Sequence, residues 1–198
     1  MEIIKKLLKE KLFYVVLGII FLINSAMNIN KSQNADLLDE YYSHKAVAKD
    51  TVTGLDIEGE EGLANAKTRR DSIIDYALQL QGVPYKYAGK GPSSFDCSGF
   101  TCYVFRNFNV SLPASSQLQS KFGEEIDTKE VQKGDILIFK SPTKGVNRVG
   151  HVGIAIANNN GKISFIHSST SRGVVIDSLA HRHYNARYMG ARRVLQDD

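Results

Sequence analysis

Cysteine is nearly absent from this chain, and the two that occur do not make a staple. Cys97 and Cys102 stand five residues apart. On one helix that spacing puts them about 140° apart around the axis, so no disulfide between them is expected. No cysteine follows the apolar stretch near the N-terminus, which argues against a bacterial lipid anchor at that point. No internal repeat is visible, so a solenoid or an array of binding repeats is excluded. No nucleic-acid-binding motif occurs either. Proline is scarce, with four residues, and together with 16 glycines it falls at plausible turns. Against these absences, 42% of the residues are apolar, enough for a packed core and too many for wholesale disorder.

The N-terminus has its own layout. Lys5, Lys6, Lys9 and Lys11 precede the run "LFYVVLGIIFLI" (Leu12–Ile23), and small and polar residues follow it. That is the pattern of a secretory signal peptide. The run is shorter than the roughly 20 residues of a spanning helix. Residues 1–27 are therefore expected to be a signal peptide, with a retained N-terminal anchor as the alternative. Either way the protein is expected to be exported, to the periplasm or cell envelope. Residues 28–66 mix acidic, polar and small residues without a period, and read as an acidic linker with a helical turn around 35–48. Residues 28–62 carry eight acids against three lysines, while residues 63–198 carry 18 Lys and Arg against 11 Asp and Glu. The split fits an acidic linker beside an ordinary basic surface, or a folded part steered toward an anionic polymer such as cell wall.

The folded domain is expected over 67–198. "RRDSIIDYALQLQG" places Ile73, Ile74, Ala77, Leu78 and Gln81 at helical spacing, with Gly82 as the stop. A second helix over 96–108 can be capped by Asp96 or Ser94, with Phe100, Val104 and Phe108 on one stripe and Phe105 beside it. A third, short helix fits 115–122. Beyond residue 130 the period changes to two. "GDILIFK", "HVGIAIAN", "KISFIHSS", "GVVIDSL" and "YMGARRVL" read as strands. Helices followed by strands imply an α+β domain, with N-terminal helices packed on a C-terminal antiparallel sheet.

The chemistry centres on "DCSGF" (96–100). Thiolate is the nucleophilic form of cysteine, and a helix N-terminus lowers a thiol's pKa through its dipole and unpaired N–H groups. Cys97 lies at such an end. The same N–H groups can hold the oxyanion of a tetrahedral intermediate. Gly99 allows close approach of another chain segment. Cys102 reads as a core residue. Two free thiols in an exported protein call for an explanation, and a nucleophile at Cys97 supplies one.

A thiol nucleophile needs a histidine base that is itself oriented. His44 falls in the linker, and His181 and His183 in a basic surface segment. His151 and His167 lie on consecutive strands joined by "NNNG" (158–161). A two-residue Asn160-Gly161 loop would send these odd-numbered residues to opposite faces. A three-residue loop with Gly161 last, or a bulge, would put them on one face, with His167 opposite Gly153. A working pair requires one of the latter.

These residues, in this order, resemble a known family. "GVPYKYAGKGPSSFDCSGF", "PASSQLQ", "GDILIF", "HVGIAIANN" and "FIHSS" are similar to the motifs of NlpC-type cysteine peptidases, which are bacterial cell-wall endopeptidases, over about residues 70–195. The resemblance implies a papain-like fold and hydrolysis of peptidoglycan stem peptides between D- and L-configured centres. It implies Cys97 as nucleophile, His151 as base and His167 as the orienting residue, acting through a thioester. It implies that Tyr85 lies near the nucleophile and helps hold the oxyanion, and that Asp96 and Ser98 contact the stem peptide. No metal, organic cofactor or nucleic acid is implied, and a monomer is expected. One departure stands out: the family's Gly-Gly is Ala88-Gly89 here. The alternatives are a non-catalytic wall-binding module, an amidase or transpeptidase on the same triad, and a zinc site built from Cys97, His151 and His167.

Overall fold

Thr68 starts the first helix among the described residues: its hydroxyl accepts the Asp71 N–H at 3.0 Å, and α1 runs Arg69–Gln79. The computed structural model describes residues 67–143 and 145–196. The expected signal peptide or anchor (1–27) and the acidic linker (28–66) lie outside the described residues. α1 buries Ile73, Ile74, Ala77 and Leu78. It stops short of Gln81, and Gly82 turns the chain at φ +85°.

α2 spans Cys97–Arg106 and buries Phe100, Val104 and Phe105. Phe108, expected on the same stripe, falls beyond the helix end. It is half-buried and packs edge-on against Tyr76, with ring centroids 5.9 Å apart. α3 is a single turn, Ser116–Gln119, whose N-cap is Ser115.

The strands follow: β1 Glu124–Ile126, β2 Ile136–Lys140, β3 Val149–Asn159, β4 Lys162–Ser169 and β5 Gly173–Ser178. A second one-turn helix, α4 (Arg182–Asn185), precedes β6 (Tyr188–Arg193). They form one six-stranded sheet in the order β1-β6-β2-β3-β4-β5, antiparallel throughout. This is the α+β arrangement that the change of period implies. β1 and α4 were not anticipated, because three and four residues are too few to show a period.

α2 packs across β3 and β4. One sheet face carries Leu137, Phe139, Ala155, Phe165 and Ala191, with Tyr184 of α4 laid on it. Phe139 meets Phe165 at 5.1 Å and Tyr184 at 5.7 Å between centroids. This aromatic floor backs both imidazoles: Phe139 lies 5.8 Å from His151, and Phe165 lies 5.0 Å from His167. At the far end of β2, fully buried Asp135 is paired with Arg193 at 2.9 Å and with Arg70 at 3.5 Å. A buried carboxylate persists only with such partners, and this one ties α1 to β2 and β6.

Candidate active site

Cys97 is the first residue of α2, and its neighbours build the helix end. The Asp96 carboxylate is the N-cap: Oδ1 accepts the Gly99 N–H at 2.6 Å and the Ser98 hydroxyl at 3.0 Å. The Gly89 carbonyl accepts the Asp96 N–H at 2.9 Å. A Cβ on Gly99 would stand 2.0 Å from that carbonyl oxygen, so only glycine lets the loop lie against the helix. Ser98 is buried, and its hydroxyl also reaches the Ala114 carbonyl at 3.3 Å. Its bonds are directed into the fold, which argues against the substrate contact expected of it. Asp96 is engaged in the cap through one oxygen.

The thiol does not rest as the ion that the helix end was expected to give. Burial pushes the Cys97 thiol up to about 11, and the Asp96 charge adds to the rise. Hydrogen bonds from the backbone N–H groups of Val152, Ser98 and Cys97 itself pull the other way. The partial charges of a helix end do not offset the loss of water around the sulfur. The Val152 contact fixes the place of the thiol, because Val152 follows His151 on β3.

The two histidines share a face, by the second of the two routes considered. The β3–β4 loop is the two-residue one: Asn159 pairs with Lys162, and Asn160 and Gly161 have φ of 53° and 89°. Both central residues are left-handed, as a type I′ turn demands. The three-residue loop is therefore not formed. Instead a bulge at Ile156 shifts the register between Ala155 and Ala157. Beyond it, Ala155 faces Phe165 and Ile154 faces Ile166, which reverses the parity set by the turn. His151 Nε2 then lies 2.8 Å from His167 Nδ1. A Cβ on Gly153 would meet the Phe165 ring at 2.8 Å and His167 Cβ at 3.1 Å, so the glycine opposite His167 makes the room.

Both rings are buried, and burial is the first cause that lowers their pKa values, His151 well below the usual range. For His151 the neighbouring His167 and Arg187 push the same way. His167 Nε2 lies 2.8 Å from Asp177 Oδ2 and 3.2 Å from the Tyr184 hydroxyl. Arg172 donates to the same Asp177 oxygen and, at 3.3 Å, to Tyr184. None of these three was picked out in the sequence. Asp177 left a trace there as a lone acid in the apolar strand "GVVIDS". Tyr184 and Arg172 left none, because a short helix and a turn carry them.

Tyr85 is held beside the segment that leads into α2. Its backbone bridges to Phe95, two residues before the cysteine. Its phenol is half-buried and its pKa is raised, by burial first and then by the charges of Cys97 and Asp96. Cys102 departs from the core reading. It is half-buried in a polar network, accepting from Gln119 Nε2 at 3.3 Å and facing the Pro113 carbonyl at 3.3 Å. Both cysteines are free. The zinc alternative fits poorly. The facing nitrogens lie at hydrogen-bond distance, 2.8 Å, and point at each other, whereas two ligands at about 2.0 Å around a tetrahedral zinc stand about 3.3 Å apart.

A family model described as NlpC/P60 matches residues 82–193. The chain belongs to the NlpC/P60 family. Among its NlpC/P60 relatives is the murein DD-endopeptidase MepS/murein LD-carboxypeptidase of Escherichia coli, 35% identical over 136 residues, 68% of each chain. Another, the probable endopeptidase NlpC of Escherichia coli, is 39% identical over 67% of this chain and 82% of its own. Of the solved structures, an NlpC/P60 family protein from Bacillus cereus superposes with a TM-score of 0.59 at 34% identity. That match covers 66% of this chain and 42% of the Bacillus cereus chain. The papain-like α+β fold and the peptidase class follow from this membership.

Proposed function

We propose that this NlpC/P60 peptidase is exported and hydrolyses peptide bonds in the stem peptides of peptidoglycan, with Cys97, His151 and His167 as its triad. One observation carries the reading. The His151 and His167 rings are joined at 2.8 Å, and the next residue of β3 directs its N–H at the Cys97 sulfur. The relatives' names add support: the similar Escherichia coli proteins are named for murein and for endopeptidase action.

The resting site holds a neutral thiol and a neutral imidazole, because burial disfavours both charges. Attack is therefore coupled to proton transfer. The Cys97 sulfur bonds to the scissile carbonyl carbon as its proton passes to His151. Backbone N–H groups at the start of α2, with the Tyr85 hydroxyl, hold the oxyanion. His151 returns the proton to the leaving amine, and a thioester remains. Water then attacks the thioester with His151 as base, and His167 keeps the ring in place throughout. The N-terminal basic and apolar segment supports export, with cleavage or retention as a tether deciding release. Asp96, whose second carboxylate oxygen is outside the cap bonds, is the better candidate for a contact to substrate.

The test is digestion of purified peptidoglycan by the protein and by Cys97→Ser, with products identified by mass. The variant should lose at least about a hundredfold in rate, because nucleophile and base act as one unit. Product masses report which bond of the stem peptide is cut, and so whether it joins a D- to an L-configured centre as the resemblance implies. Equal cleavage by the variant refutes the cysteine mechanism. Binding without cleavage by the parent would leave a wall-binding module, and a transferred rather than hydrolysed acyl group would make it a transpeptidase.

A further inference from the structure

The hydrogen bonds do not end at the second histidine. They run across three neighbouring strands, from His151 on β3 to His167 on β4 to Asp177 on β5, each step 2.8 Å long. We propose that Asp177 is a positioning residue: its carboxylate dictates which nitrogens of His167 and His151 carry protons, and so leaves a bare nitrogen on His151 facing away from His167. The proposal rests on the peptidase reading for its purpose, though not for its geometry.

The logic is an inventory of donors and acceptors. Asp177 is ionised: bonds from His167 and Arg172 outweigh the opposing effect of burial and lower its pKa. A carboxylate can only accept. The proton in the Asp177–His167 contact is therefore on His167 Nε2. Burial holds His167 neutral, and a neutral imidazole has one N–H. Its Nδ1 must then be an acceptor. The facing His151 Nε2, 2.8 Å away, must be the donor. His151 is neutral as well, so its Nδ1 is left with a free lone pair. That is the state a general base needs. When it takes the Cys97 proton, the S–H bond breaks, an N–H bond forms on Nδ1, and the new imidazolium charge is favoured by Asp177 through His167.

Asp177 is itself held. Arg172 and Tyr184 both reach it, so its oxygen cannot turn away from His167 without breaking those bonds. The other charged or titratable groups around the pair are Arg187 and His183, and both disfavour imidazolium on His151. Without the carboxylate, nothing on the β5 side forbids the opposite arrangement. His167 would carry its proton on Nδ1 and donate to His151 Nε2. The His151 proton would then be on Nδ1, where it blocks the base. The two arrangements have the same number of hydrogen bonds between the rings, and only one of them can accept a proton from the thiol.

The experiment uses the full chain labelled with ¹⁵N-histidine, as parent, Asp177→Ala and Asp177→Asn. Long-range ¹H–¹⁵N spectra read the protonated nitrogen of each ring with no substrate present. The parent should show Nε2–H on both rings, and the variants a mixture. On a soluble stem peptide, kcat should fall at least about tenfold while KM stays within about twofold, since orienting carboxylates of catalytic imidazoles act on rate. Asp177→Asn keeps the shape, so it carries the test if Asp177→Ala fails to fold. Unchanged tautomers in a folded variant overturn the proposal, even if the rate drops, because that outcome is what a merely structural aspartate gives. A parent kcat in both variants overturns it too. Because the spectra need no cleavage, the proposal can fail while the peptidase reading stands, and the reverse.

Discussion

Gly153→Ala is the sharpest probe of how the histidines come to share a face. The added methyl carbon would lie 2.8 Å from the Phe165 ring, 3.1 Å from His167 Cβ and 3.2 Å from the Ile166 carbonyl oxygen. None of the three can yield easily. The Phe165 ring is pinned by Phe139 and Tyr184, each with centroids 5.1 Å away, and the other two contacts belong to or adjoin the β4 backbone. Overpacking of this kind costs about 1–3 kcal/mol. For a domain of this size that is a loss of about 4–12 °C in Tm. The functional loss should be larger. Relief requires β4 to shift at His167, which lengthens the 2.8 Å contact to His151. Misplacement of a catalytic group by about 1 Å costs on the order of a hundredfold in rate. The assay is thermal unfolding by circular dichroism beside kcat on a stem peptide. A variant that melts and cleaves like the parent would mean that residue 153 does not oppose His167, and the bulged register would be wrong.

Two other outcomes follow from the same geometry. Ala88 is exposed and has φ 57°, a left-handed backbone that costs any residue with a Cβ. Ala88→Gly should raise Tm by about 2–4 °C, since relief of roughly 1–2 kcal/mol of strain exceeds the added chain entropy of glycine. Stability should also depend on pH through the two buried histidines. Their folded pKa values are lowered, so below about 6.5 the unfolded chain binds protons that the fold excludes. Stability is therefore full above that pH and falls as pH drops below it. Urea midpoints at pH 7.5 and 5.5 measure the change, and a higher midpoint at pH 5.5 would refute the buried, neutral pair.

Much of the architecture was legible because burial imposes a period. The change from 3.6 to 2 along the chain located α1, α2 and five of the six strands. Short elements carry no period, so β1 and α4 were missed, and with α4 went Tyr184. The motif "DCSGF" disclosed the helix end and a candidate nucleophile at it, since a cap, a close approach and a first-turn cysteine are local demands. The pKa of that cysteine was misjudged for the opposite reason. Desolvation depends on what covers the sulfur, and that is decided by segments distant in the chain.

The sequence alone pointed to the order of helices and strands through local spacing, and through its motifs to the family and to Cys97, His151 and His167 as the candidate set. Only the tertiary structure decided that the histidines meet. A two-residue turn sets one parity and a bulge at Ile156 reverses it, and no local rule at "HVGIAIANN" says where a strand will slip by one residue. The carboxylate behind them is likewise a product of strand pairing. Asp177 reaches His167 because β5 is laid beside β4, and the energy of that pairing is summed over the whole strand rather than written at any one position.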